Sequence, residues 1–226
     1  MKNFIWFVLI WLVVMGKNAA AQDMKDIRYV ALGDSYTIGM GATVQESWPA
    51  LLTRHLQENG IPIKLVENLG QGGWTTADVI KAQIPVYQSL RPTFASILIG
   101  TNDWVQGMDA STYRQQVATL LDQMLAQLPG KNRLLVVTSP DFSVAPNGPY
   151  YSSGRNITDG MKAFNDIVKE EAYNRGLTVV DLYETTKQFF ENPSFISSDG
   201  LHPSAQGYGA WEKLIYPVVV QMLTQK

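Results

Sequence analysis

Short apolar runs alternate along the chain with longer stretches of helical periodicity. Five runs read as strands: Ile27 to Leu32, Ile63 to Glu67, Phe94 to Ile99, Leu134 to Thr138 and Leu177 to Leu182. Between them, Ser47 and Pro49 open a helix through Leu51, Leu52, His55 and Leu56 that closes near Gly60. Thr76 is placed to cap a helix starting at Ala77. Asp109 to Leu128 is the clearest helix, with Tyr113, Val117, Leu120, Leu121, Met124, Leu125 and Leu128 on one stripe. Met161, Phe164, Ile167, Val168 and Ala172 mark another, ended by Gly176, and a last helix begins near Ser204, where Pro217 predicts a kink. Tyr36 to Gln45 reads as a glycine-punctuated loop. Ser139 to Asn156 is a long loop carrying Phe142, Tyr150 and Tyr151, of a length that is often functional in a small domain. The alternation predicts crossover units and a mainly parallel sheet, an α/β fold.

The first residues break this pattern. Lys2 precedes an unbroken apolar run from Phe4 to Met15, and Ala19-Ala20-Ala21 offers a small-residue cleavage site before Gln22. Residues 1–21 therefore read as a signal peptide. The run is short for a membrane span, which needs about 20 apolar residues. The expectation is a secreted or periplasmic protein with no stable membrane span after cleavage, an uncleaved anchor being the alternative. Residues 22–226 fit one domain. The absence of cysteine removes a lipobox anchor, disulfides and thiolate metal sites from consideration. A net charge of -2, with acids and bases interspersed, favours neither nucleic acid nor an anionic membrane surface as partner. Oligomeric state has no signature in the sequence.

Three strand ends run into glycine-bearing polar turns: Gly33-Asp34-Ser35, then Asn68 with Gly70, Gly72 and Gly73, then Gly100-Thr101-Asn102-Asp103. Open α/β sheets place their ligands at that edge. Ser35 is the candidate nucleophile, and a serine needs a base, a group to orient the base and donors for the oxyanion. Only His55 and His202 could be a histidine base. His55 lies mid-helix between leucines and reads as a partly exposed helix-face residue. His202 follows Asp199 by three residues in a tight polar turn, a spacing that lets a carboxylate reach one imidazole nitrogen while the other faces elsewhere. Asp34 reads as a structural turn acid. No Gly-x-Ser-x-Gly elbow and no phosphate-binding glycine motif occurs.

Taken in order, Gly33-Asp34-Ser35, Asn68 with Gly73, Gly100-Thr101-Asn102-Asp103 and Asp199-Gly200-Leu201-His202-Pro203 resemble the four blocks of the SGNH hydrolases, the GDSL esterase and lipase family. The resemblance implies a flavodoxin-like three-layer α/β/α sandwich with a mainly parallel five-stranded sheet. It also implies a triad of Ser35, His202 and Asp199, and an oxyanion hole made by the Ser35 amide, the Gly73 amide and the Asn102 side chain. Among the nearby glycines, Gly73 matches the family spacing from Asn68 and Thr75. No cofactor or metal is implied, and the partner is a small-molecule, glycan or lipid ester, as for lysophospholipase-like acyl hydrolases. Tyr36, Trp74 and Trp104 directly follow presumed site residues, which predicts an aromatic-walled pocket, with core packing the alternative for either tryptophan. Rival readings are a carbohydrate acetyl esterase using the same site, a phosphoesterase holding a metal on Asp34, Asp103, Asp199 and His202, and a non-catalytic glycan-binding module.

Overall fold

The computed structural model describes residues 26–190 and 192–224. Its strands are β1 (Ile27–Gly33), β2 (Ile63–Asn68), β3 (Phe94–Leu98), β4 (Leu134–Val137) and β5 (Thr178–Val180). All pair in parallel, in the order β2-β1-β3-β4-β5.

Side chains alternate across a strand, so an apolar run has an apolar set on each face. On one face Val30, Leu32, Ala95, Ile97, Leu134 and Val136 pack against helices α4 (Ile84–Ser89), α6 (Ala110–Leu125) and α7 (Ile157–Asn174). On the other, Tyr29, Ala31, Phe94, Leu98, Leu135 and Val137 pack against α2 (Trp48–Glu58) and α9 (Ala205–Thr224). The result is the expected three-layer α/β/α fold. Its strand order is the flavodoxin-like one, in which the chain leaves β1 for one neighbour and returns on the other side. The crevice between the ends of β1 and β3 is where such sheets take ligands.

Local chemistry moves several boundaries from their predicted places. Asp109 accepts hydrogen bonds from the Ser111 and Thr112 amides and so stands just outside α6 as its cap. Thr75, not Thr76, caps the third helical segment, because Thr75 and Asp78 form a reciprocal capping box. That segment is α3 (Thr76–Asp78) followed by a wide π turn over Val79–Gln83 before α4. Tyr36 to Gln45 is not loop throughout: α1 (Ser35–Ile38) opens it, with Asp34 as cap. A short α5 (Thr101–Val105) follows β3 in the same way. β5 stops at Val180, and α8 (Tyr183–Phe190), which the periodicity did not indicate, follows it. α9 continues through Pro217. The signal segment lies outside the described residues, among which no helix is long and apolar enough to cross a membrane.

Candidate active site

The β1 strand ends by turning sharply at Gly33, whose φ is +144°. A Cβ there would lie 2.2 Å from the Leu98 carbonyl oxygen, so neither the backbone conformation nor the space admits another residue. The turn delivers Ser35 to the first position of α1. Asp34 is fully buried and caps this turn, its Oδ1 accepting the Tyr36 N–H at 3.0 Å. Burial, reinforced by the charge of Asp103, pushes the Asp34 carboxyl up to about 8. The Ser35 N–H, at a helix start, has no intramolecular acceptor among the described residues.

The turn after β2 supplies further donors. Asn68 fastens it to α1, donating to the Thr37 carbonyl at 2.8 Å and accepting the Gly70 N–H at 3.1 Å. The Gly70 amide is thereby used. The amides of Gly72 and Gly73 have no acceptor among the described residues. Gly73 has φ +79°, and a Cβ on it would meet no atom within 4 Å. Asn102, on α5, donates one Nδ2 hydrogen to the Trp74 carbonyl at 3.0 Å, which leaves its second N–H unused. Asp103 points the other way, into the protein, where both carboxylate oxygens sit 3.0 Å from the Thr76 N–H. Burial raises its pKa to about 6.

His202 arrives from the far end of the sequence, in the turn that precedes α9. Ile196 and Pro203 bridge across this turn, and the Ser197 N–H donates to the His202 carbonyl at 2.9 Å. Asp199 Oδ1 accepts from Ser197 Oγ, the Leu201 N–H and the His202 N–H at 2.7, 2.8 and 2.9 Å. Its Oδ2 lies 2.7 Å from His202 Nδ1. Partial burial opposes ionisation of Asp199, yet these donors outweigh it and hold the carboxyl down to about 2. An ionised carboxylate can only accept, so Nδ1 carries the hydrogen and Nε2 of the neutral ring keeps its lone pair. Asn147, from the long loop, steadies the turn through a 2.6 Å bond to the Asp199 carbonyl, and its N–H donates to the Gly200 carbonyl. On the other side, the Tyr208 hydroxyl of α9 donates to the Met40 carbonyl at 2.7 Å, joining the final helix to the segment after Ser35.

Ser35, Gly73, Asn102 and His202 line a single pocket of about 570 Å³. Ser35 and His202 face it together without a direct hydrogen bond between their side chains, which are 7 % exposed as residues. The rest of the wall is largely apolar: Ile38, Met40, Val105, Phe142 and Leu201, with Tyr36 and Tyr151. The aromatic wall foreseen from sequence is thus present, with Tyr36 as expected and with Phe142 and Tyr151 in place of the two tryptophans. Trp104 is buried, packs edge-on against Phe142 and is covered by Arg155, and Trp74 acts through its carbonyl. The long loop contributes Phe142 and Tyr151, which no periodicity could place. His55 behaves as read: on the helix face, stacked on Tyr216 with Nδ1 2.9 Å from Glu212. Asp34, Asp103, Asp199 and His202 do not gather, and the described residues hold no cluster of three or more such side chains able to hold a metal ion.

Residues 31–210 match the family model described as GDSL-like Lipase/Acylhydrolase. Esterase TesA of Pseudomonas aeruginosa is 24 % identical over 94 % of both chains, and an arylesterase of Vibrio mimicus is 23 % identical over 84 % of this chain and 85 % of its own. A lipase/acylhydrolase structure from Enterococcus faecalis superposes with a TM-score of 0.70 at 25 % identity, covering 87 % of this chain and 95 % of that one. A family 3 carbohydrate esterase of Clostridium thermocellum shares the fold, with a TM-score of 0.68 at 22 % identity over 87 % of this chain and 96 % of its own. With the family model covering residues 31–210, the serine turn and the histidine turn included, the chain belongs to the GDSL-like lipase/acylhydrolase family and is a carboxylic ester hydrolase.

Proposed function

We propose that the protein is a secreted serine esterase that cleaves acyl esters through an acyl-enzyme intermediate. Ser35 Oγ attacks the ester carbonyl carbon while His202 Nε2 takes its proton. The carbonyl oxygen gains the negative charge and is met by the Ser35 N–H, the Gly73 N–H and the free N–H of Asn102. Collapse expels the alcohol, which receives the proton from His202, and a water activated by the same nitrogen then releases the acid and restores Ser35. Asp199 keeps the imidazole in the productive tautomer and stabilises its charged form. Base assistance of this kind contributes about 10² to 10⁴ in rate, and each oxyanion donor about 10² to 10³.

The observation that carries this reading is the Asp199–His202 pair facing the same pocket as Ser35 and two amides without acceptors. The pocket wall favours an apolar acyl group over a bare sugar: it holds no Asp, Glu, Lys or Arg side chain, and Ile38, Val105, Phe142 and Leu201 offer no hydrogen bonds. Lysophospholipid-like and simple alkyl esters fit this description better than acetylated glycans.

Labelling with a fluorophosphonate tests the nucleophile: the full protein reacts, and Ser35→Ala does not. A protein that stays unlabelled overturns the triad. A series of p-nitrophenyl esters from acetyl to decanoyl, run beside acetylated xylan, tests the substrate class. The expected result is kcat/KM rising with acyl length, and a preference for the glycan overturns it. Secretion is checked by N-terminal sequencing of exported protein, which should begin at Gln22 and retain 22–226 as one domain.

A further inference from the structure

In a parallel strand the N–H and C=O of one residue point to the same side. At Gly33 that side is empty of strand, because β2 pairs with β1 only as far as Ala31 and Asn68. Gln83 fills the gap. Its Oε1 accepts the Gly33 N–H at 3.0 Å, and its Nε2 donates to the Gly33 carbonyl at 2.7 Å. The side-chain amide thus stands in for the missing backbone of a neighbouring strand. The same Gly33 carbonyl also accepts the Gln71 N–H at 3.2 Å, so both its lone pairs are used. Gln83 is 2 % exposed, and its side chain makes no other hydrogen bond among the described residues. It comes from the last position of the π turn Val79–Gln83, a wide turn of a type that often occurs at functional sites.

We infer that Gln83 is a positioning residue for ester hydrolysis, setting the spacing between the two backbone donors of the oxyanion hole. The inference rests on the roles given above to Ser35 and Gly73. Gly33 lies two residues before Ser35, and Gln71 lies two residues before Gly73. One residue, Gly33, therefore governs both donors, and Gln83 grips the peptide groups on either side of it without reaching the pocket, whose lining does not include Gln83. Donors in the hole work only when held where the oxyanion forms, and a displacement near 1 Å can cost about 10²-fold.

Gln83→Met keeps the side-chain length and removes both hydrogen bonds, and Gln83→Glu keeps the acceptor while setting a carboxylate against the Gly33 carbonyl. Both variants are compared with wild type by steady-state kinetics on a p-nitrophenyl ester and by inhibition with a trifluoromethyl ketone, whose adduct places an oxyanion in the hole. The expected result is kcat lower by about 10- to 100-fold with KM within about twofold, and ketone affinity falling in parallel with kcat. Folded variants with wild-type kcat, or with losses confined to KM, overturn the inference. Should neither variant fold, the wild-type Gln83 side-chain amide is followed by NMR as Ser35 is labelled by fluorophosphonate. A shift of its proton resonances supports the coupling, and unmoved resonances overturn it. Labelling also separates the two levels: a labelled wild type with unaffected variants removes Gln83 alone, whereas an unlabelled wild type removes the triad and Gln83 together.

Discussion

The two halves of the site are built on different materials. The serine half is sheet: Asp34 is fully buried, Gly33 sits in register with Leu98, and Gln83 and Gln71 close the strand's free side. The histidine half is a turn held by its own side chains, with the Asp199 side chain 40 % exposed and a lone bridge between Ile196 and Pro203. On the serine side the backbone geometry is the product, since two of the groups proposed to meet the oxyanion are N–H groups. On the histidine side the product is a protonation state. A rigid frame serves the first need, and a local web of donors to one carboxylate serves the second.

Changes that sharpen this contrast differ in kind and size. Asp199→Asn sets an amide N–H against the imidazole and favours the wrong tautomer, so kcat should fall by about 10⁴ while the melting temperature stays close to wild type. A kinetic assay paired with a thermal melt checks this, and a large loss of stability would mean that the turn depends on the sheet-like support seen on the other side. Gly33→Ala should do the reverse. Its Cβ would meet backbone at 2.2 Å, and the expected cost is about 3 kcal/mol or more of stability, measured by chemical denaturation. Gly73→Ala, with open space around its Cβ, should cost only about 1–2 kcal/mol of backbone strain and show its main effect in kcat.

The most gradual expected effect is on pH dependence. A carboxyl whose native pKa is raised binds its proton more tightly in the folded chain. The stability it contributes is fully present below the unfolded value near 3.9 and is lost as pH rises through the folded value. With Asp34 raised to about 8 and Asp103 to about 6, unfolding free energy should decline from pH 5 to pH 9. The expected decline is several kcal/mol, since each pKa unit corresponds to about 1.4 kcal/mol. Asp34→Asn, which keeps an acceptor for the Tyr36 N–H, should flatten the curve. The Asp199 carboxyl, held at about 2, moves in the opposite sense and only in strong acid.

Much of this was legible in the sequence, for identifiable reasons. β1 and β3 announce themselves because both faces are buried and every second residue is apolar for a different layer. His202 was identifiable because only one other histidine exists, and Asp199 because three residues is the reach of a turn. What escaped depends on contacts between distant segments. Nothing near Gln83 says that it will meet Gly33; the only signal is a polar residue on the buried side of Val79, Ile84 and Tyr87. Trp104 lies two residues after Asn102, close enough in sequence to suggest a pocket wall, yet on α5 that position turns inward to Phe142. α1 is four residues long, too short for a periodicity to register.

Met40 and Tyr208 bear on biosynthetic timing. The hydrogen bond between them joins the segment that follows the serine to α9, which is synthesised after all five strands, and His202 comes just before that helix. A nascent chain that has β1 to β4 but not yet residue 202 lacks the base proposed for Ser35. On the roles proposed for Ser35 and His202, hydrolysis therefore waits until α9 has been made and has docked, so a chain from which only the sheet has emerged leaves the esters around it intact.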